Sequence, residues 1–204
     1  MAAPEQCRLK DHLNHAILQT AHRLFNEYGV EEVSMHQIAK GAGIGQGTLY
    51  RRYSNKADLC MDMMFDYFES FRRDIEDDLR RNAEKSVDQK LKSVISQIIA
   101  FIADKAMWLG TIQAEQIHPK SKDEFCKSKP YLFLHGVLHG LLLQAVQEGD
   151  CAQLDPNFAA HALIGFLSPY TYQHLVQDQG YTQAEVEKHF NEMLITPLFR
   201  KKMA

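Results

Sequence analysis

Along most of the chain apolar residues return every third or fourth position, and no stretch alternates apolar and polar residues for long enough to make a strand. The pattern predicts an all-α protein. Leu9, Leu13, Ala16, Ile17, Ala21, Leu24, Phe25 and Tyr28 form one stripe of a first helix, which Gly29 ends by supplying a left-handed C-cap. Ser34 and Gln37 have the spacing of a capping box and start a short second helix. Asn55 with Asp58 opens a long connecting helix of about seven turns, with Cys60, Met63, Met64, Tyr67, Phe68, Phe71, Ile75 and Leu79 on its stripe. Its far end, Arg72 to Arg81, mixes four arginines with acids and reads as a solvated helix end.

Ser86 and Gln89 make a second capping box, ahead of Val87, Leu91, Val94, Ile95, Ile98, Ile99, Phe101 and Ile102. That breadth of apolar surface implies burial on more than one side. His118-Pro119 is expected to stop a further short helix, Pro130 suits the first turn of the next, and Gly149 closes it. Asp155-Pro156 supplies an N-cap followed by proline at N1, beginning a helix expected to run to Gly180 with a kink at Pro169. Thr182 with Glu185 caps a last helix carrying Val186, Phe190, Met193, Leu194 and Leu198. The reading gives about nine helices with no internal repeat or low-complexity linker. A small N-terminal head of three helices, residues 1–56, is joined by the long helix to a larger C-terminal helical bundle, residues 57–204.

Composition agrees with a globular protein: 204 residues, 45% hydrophobic and 24% charged, are enough for a sizeable core. Cys7, Cys60, Cys126 and Cys151 include no CxxC pair and read as reduced thiols. The N-terminus has no apolar run of signal-peptide length, and Leu141-Leu142-Leu143 falls far short of the ~20 residues that cross a bilayer. A cytoplasmic protein with no membrane partner is expected. The net charge of -3 argues against nucleic acid at first sight, but it is an average. Residues 40–56 hold Lys40, Arg51, Arg52 and Lys56 and no acid, a local +4. Residues 1–56 sum to +2 and the remainder to -5. The basic footprint is confined to the head.

Residues 34–53 read SMHQIAKGAGIGQGTLYRRY. A dinucleotide fingerprint fails here, because Gln46 stands where a third glycine is needed and a helix, not a strand, precedes it. There is no Gly-Lys-Ser/Thr ending for a phosphate loop either. A helix-turn-helix fits: Ala39 is small at the crossing, Gly43 can take a positive φ in the turn, and Ile38, Ala42, Ile44 and Leu49 lock the pair together.

Leu24-Phe25, Gly29, Ile38-Ala39, Ala42-Gly43, Gly47-Thr48-Leu49-Tyr50, Tyr53 and Lys56 stand in one ordered pattern. Through it the chain, over roughly residues 10–60, resembles the TetR family of bacterial transcriptional regulators. The second motif helix, about Gln46 to Tyr53, is expected in the major groove. Gln46 can present a bidentate amide to adenine, and Thr48 a methyl or hydroxyl to a base edge. The resemblance places Gln46, Thr48, Tyr50, Arg51 and Arg52 at DNA-contacting positions. Ser34 and His36 can reach the backbone or the groove edge, and Lys56, in the first turn after Asn55, is expected to favour a phosphate. Leu49 and Tyr53 read as core.

One recognition helix touches few bases, so a homodimer on two half-sites of a palindromic double-stranded operator is expected. Its interface is expected on the last two helices, from Phe158, Ala159, Ala162, Gly165, Phe190, Met193, Leu194 and Leu198. The resemblance also implies a site for a small-molecule effector in the C-terminal bundle, and repression as the default. Candidate lining residues are Phe101, Met107, Trp108, Gln113, Phe125, Phe133, His135, His139, Phe166 and Tyr170, which suit an apolar or aromatic effector. His135 and His139 stand at i and i+4, a spacing that can ligate metal, but no HExxH glutamate accompanies them, and neither metal nor cofactor is expected. No nucleophile elbow, carboxylate pair or cofactor fingerprint supports an enzyme. The rival reading is a helical small-molecule-binding or metal-dependent protein without DNA-binding activity. It is disfavoured by the acid-free stretch from Lys40 to Lys56.

Overall fold

The computed structural model describes residues 3–115, 126–151 and 153–199, and the side chains of all of these except residues 3–11, 107 and 112–115. The chain order is α1 (Ala3–Tyr28), α2 (Met35–Gly41), α3 (Gln46–Tyr50), α4 (Lys56–Arg81), α5 (Val87–Glu115), α6 (Lys129–Glu148), α7 (Pro156–Phe166), α8 (Pro169–Gln173), α9 (Gln183–Phe190) and α10 (Thr196–Phe199). Helix α8 runs on into a π-helical segment, His174–Asp178, and α9 into another, Asn191–Ile195. Among the described residues there is no strand.

Local signals set most helix ends. Ser34 and Gln37 form the reciprocal capping box before α2. The Asp58 N–H donates to Asn55 Oδ1 at 2.8 Å at the start of α4. Ser86 and Gln89 exchange hydrogen bonds of 3.3 Å ahead of α5. Asp155 Oδ1 accepts from the N–H groups of Asn157 and Phe158, with Pro156 in the first turn of α7. Thr182 and Glu185 close a third capping box. Gly29 (φ +87°) and Gly149 (φ +71°) provide the left-handed exits from α1 and α6.

Three elements differ from the periodicity reading. Helix α5 does not stop before a further short helix; it continues unbroken through Gly110 to Glu115, because a single glycine costs only about 1 kcal/mol in a helix held by packing. His118-Pro119, the expected stop, lies outside the described residues. Pro169 does not kink a continuing helix: α7 ends at Phe166, and Ser168 caps a new helix with Pro169 in its first turn. The last helix is interrupted by the π-helical Asn191–Ile195, which moves its buried face. A π turn bonds i to i+5, and Ile195, five residues after half-buried Phe190, is fully buried while Met193 is 73% exposed.

The described chain forms two compact units, Met1–Tyr67 with Met107–Glu115, and Phe68–Ala106 with Gln116–Ala204. The first therefore reaches past residue 56, taking in the beginning of α4 and the end of α5. Trp108 shows why: its ring meets His22 at 5.6 Å, Phe25 at 6.0 Å and Tyr67 at 6.3 Å, all edge-on. Ile17, Ala21, Phe25, Ile38, Ala39, Leu49 and Leu59 make the core of this unit, while Tyr28, expected on the α1 stripe, is 56% exposed. In the second unit Val87, Leu91, Val94, Ile95, Ile98, Ile99 and Ile102 are all buried, as the breadth of that apolar surface requires. Helix α6 packs on α7, with Leu138, Leu142 and Ala145 buried on the first and Ala160 and Leu163 on the second.

Candidate nucleic-acid interface

Two close approaches build the helix-turn-helix. At the end of α2, a Cβ added to Gly41 would lie 2.8 Å from Thr20 Cγ2, so this residue has no room for a side chain against α1. In the turn, Gly43 adopts φ +67°, and the Ile44 N–H returns to the Ala39 carbonyl at 3.0 Å. Ile38, Ala39 and Leu49 are buried beneath it, Leu49 and Tyr53 serving as the core residues the sequence suggested.

Helix α3 covers Gln46–Tyr50 and not the longer span to Tyr53; Arg52 and Tyr53 continue it as a turn, both N–H groups returning to the Leu49 carbonyl. Tyr53 is buried where that turn ends. Gln46, Tyr50 and Arg51 are exposed and Thr48 is half-buried. Arg51 Nη2 donates to Thr48 Oγ1 at 3.2 Å, along the face of α3. Exposed His36, near the start of α2, is hydrogen-bonded through Nδ1 to Gln46 Nε2. Ser34 is exposed and caps α2. Arg52 turns back from this group, half-buried and hydrogen-bonded to Asn14 Oδ1 on α1.

Lys56 departs from its expected phosphate contact. Its Nζ donates to the carbonyls of Val30 at 2.5 Å, Val33 at 2.9 Å and Glu31 at 3.2 Å, which occupies all three ammonium protons. The side chain is a strut under the loop between α1 and α2.

The candidate effector residues are dispersed. Phe101 stacks on Phe71 at 4.4 Å, Phe133 meets Phe68 at 6.0 Å, and Trp108 belongs to the first unit. His135 and His139 stack at 5.7 Å in an aromatic cluster with His161 and Tyr131, where the Tyr131 hydroxyl lies 2.5 Å from His161 Nδ1. Among the described residues no group of three His, Cys, Asp or Glu side chains is arranged to hold a metal ion. Phe125 and the side chains of Met107 and Gln113 lie outside the described residues. Tyr170 is 73% exposed. Among the described members of the set, Phe166 alone lines a cavity of the second unit, a space of about 430 Å³ between α5, the α7–α8 region and α9.

That cavity is floored by Ile99 and Ile102 and walled by Leu167, Tyr172, Leu175, Val186, Phe190 and Leu194, with Ser168, Thr171, Tyr181 and His189 as its polar groups. Among the described residues that line it there is no Asp, Glu, Lys or Arg. Sequence reasoning missed most of these residues because they come from three separated segments and two of them border π turns; the apolar breadth of α5 was the available signal. Of the expected interface residues, Phe158 and Met193 are 72% and 73% exposed, Gly165 is exposed, and Ala159, Ala162, Phe190, Leu194 and Leu198 are half-buried. No described helix is long and apolar enough to cross a membrane.

Residues 17–62 match the sequence profile of the bacterial regulatory proteins of the tetR family. An HTH-type transcriptional regulator of Staphylococcus aureus (strain USA300) is 46% identical over 101 residues, 48% of this chain and 52% of that protein. One from strain MRSA252 is 46% identical over 71 residues, 33% of this chain and 38% of its own length. The match thus spans about half the length of these relatives, or less. Among solved structures, Thermus thermophilus FadR, a TetR family transcriptional repressor in complex with lauroyl-CoA, superposes with a TM-score of 0.72 at 18% identity, over 94% of this chain and 98% of that one. A putative transcriptional regulator from Saccharomonospora viridis in complex with choline gives 0.68 at 16% identity, over 94% and 100%. Bacillus subtilis FadR in complex with stearoyl-CoA gives 0.67 at 21%, over 90% and 98%. At these identities the likeness concerns the fold. The match to the family profile is confined to the head, where residues 17–62 carry the pattern of the bacterial regulatory proteins of the tetR family, and the fold across the chain is similar to that of solved regulators of that family.

Proposed function

We propose that the protein is a ligand-responsive repressor that binds a palindromic operator as a homodimer and is released by a small, uncharged, apolar or aromatic effector. The observation that carries the DNA-binding half is the exposed face of α3, where Gln46, Tyr50 and Arg51 project from a helix packed on buried Leu49 in a stretch free of acidic residues. Half-sites about 34 Å apart would match two such heads. Exposed Phe158 and Met193 support an interface on the last helices, since apolar side chains this open gain most from association.

The effector half is supported by the cavity of the second unit. A described lining without Asp, Glu, Lys or Arg disfavours an ionic ligand, because its desolvation would go largely uncompensated. Differential binding of such a molecule to two conformations is what would shift DNA affinity. The test is selection of bound sequences from a random duplex pool, followed by anisotropy titrations of the selected site with and without Nile red as an uncharged apolar probe. A palindromic motif is expected, with Nile red binding the native protein and lost in Leu175→Trp, which fills the cavity. Failure to retain any DNA at low salt overturns the regulator and leaves the rival reading of a helical binding protein.

A further inference from the structure

His36 and Gln46 occupy facing ends of the two motif helices, the second residue of α2 and the first of α3. Their backbones are fixed independently. The Ser34–Gln37 capping box holds the start of α2, and the Ile44-to-Ala39 hydrogen bond of 3.0 Å holds the turn that delivers α3. Both side chains are exposed, so burial does not force them together. They meet through a hydrogen bond between Gln46 Nε2 and His36 Nδ1.

A carboxamide is degenerate as a base reader. Rotated by half a turn it exchanges its acceptor for its donors, so a free glutamine can meet a base amino group or a base carbonyl equally well. The contact with His36 removes that freedom. An imidazole nitrogen that accepts from Nε2 fixes which end of the amide faces α2, and Oε1 is turned away as an acceptor. It also holds a side chain that otherwise loses over ~1 kcal/mol of rotamer entropy on ordering. In the major groove the groups that donate to such an oxygen are adenine N6 and cytosine N4; guanine O6 and thymine O4 are acceptors and would oppose it.

We propose that His36 is a specificity-determining positioning residue: by accepting from Gln46 Nε2 it presents Gln46 Oε1 outward, so that one position of each half-site selects adenine or cytosine. His36 acts through Gln46 and reads no base itself. The inference rests on the DNA-binding reading above. It replaces a glutamine with two orientations by a pair with one.

The experiment selects sites from a random duplex pool with the full chain, with Gln46→Ala, His36→Leu and His36→Asn, and measures anisotropy on duplexes varied at the affected position. Gln46→Ala identifies that position as the one that becomes degenerate. The unaltered protein should prefer adenine or cytosine there, and His36→Leu should lower that preference about tenfold while leaving the rest of the motif intact. His36→Asn should restore it, because asparagine Oδ1 offers an acceptor where imidazole Nδ1 stood. A motif from His36→Leu identical to the original, a preference for guanine or thymine at that position, or no recovery with asparagine overturns the proposal. If the unaltered protein selects no sequence at all, the DNA-binding reading itself falls.

Discussion

The Tyr53 hydroxyl donates to Asp62 Oδ2 at 2.5 Å, fastening the turn after α3 to α4. The ring is only 6% exposed. Burial first, and then the Asp62 carboxylate, raise the phenol well above the usual tyrosine value of 10.0. The folded state therefore holds this proton more tightly than the unfolded chain does. The corresponding stability is fully present below about pH 10 and is lost as the pH climbs beyond it. Tyr53→Phe should cost about 0.5–1.5 kcal/mol at neutral pH and flatten the alkaline loss. Urea denaturation at pH 7.5 and 10.5 measures both; an unchanged alkaline slope contradicts the latch.

Lys56 separates a structural from an electrostatic role. With its ammonium on the carbonyls of Val30, Glu31 and Val33, Lys56→Met should destabilise the protein by about 1–3 kcal/mol. The slope of log affinity against log salt should stay where it was, whereas removal of a phosphate contact lowers it by about one. Thermal melts and a salt series on the selected operator distinguish the two.

Glycine to alanine should have opposite signs at two nearby positions. At Gly41 the new methyl meets Thr20 Cγ2 at 2.8 Å, and threonine is stiff at χ1, so a loss of about 1–3 kcal/mol is expected. At Gly47, inside α3 with nothing within 4 Å of the added atom, alanine should stabilise by up to about 1 kcal/mol. Equal melting shifts for the two variants would refute the close approach of α2 to α1.

The thiols should differ sharply in reactivity. Burial pushes the Cys60 thiol up to about 12, and no part of the residue is exposed, while Cys126 is open to solvent. A maleimide pulse at pH 7.5 should label Cys126 in the native protein and Cys60 only after unfolding. Peptide mapping that finds Cys60 labelled natively would show the first unit to be looser than its packing implies.

What the sequence revealed was what short-range chemistry decides. Ser34 with Gln37, Thr182 with Glu185, Asp155 before Pro156, and Gly43 in its turn each act within a few residues, so their types and spacing suffice. The fate of Lys56 was hidden because its acceptors lie 23 to 26 positions earlier, and a helix N-terminus offered a plausible local alternative. Trp108 read as a pocket residue for the same reason: its aromatic neighbours come from α1 and α4. Gln46 could be expected to face a base from its place in the motif, but its contact with His36, ten residues away on another helix, could not be read from local spacing.

A π turn is an α turn carrying one extra residue, so the segment Asn191–Ile195 is an insertion that the last helix has absorbed without breaking. Removing one residue there would let the backbone relax to ordinary pitch while the turn still closes, so everything downstream, Leu198 included, would keep the side it faces. The helix could therefore survive a one-codon change in length without presenting a different side to its surroundings. In this stretch, length variation is buffered before it reaches the surface.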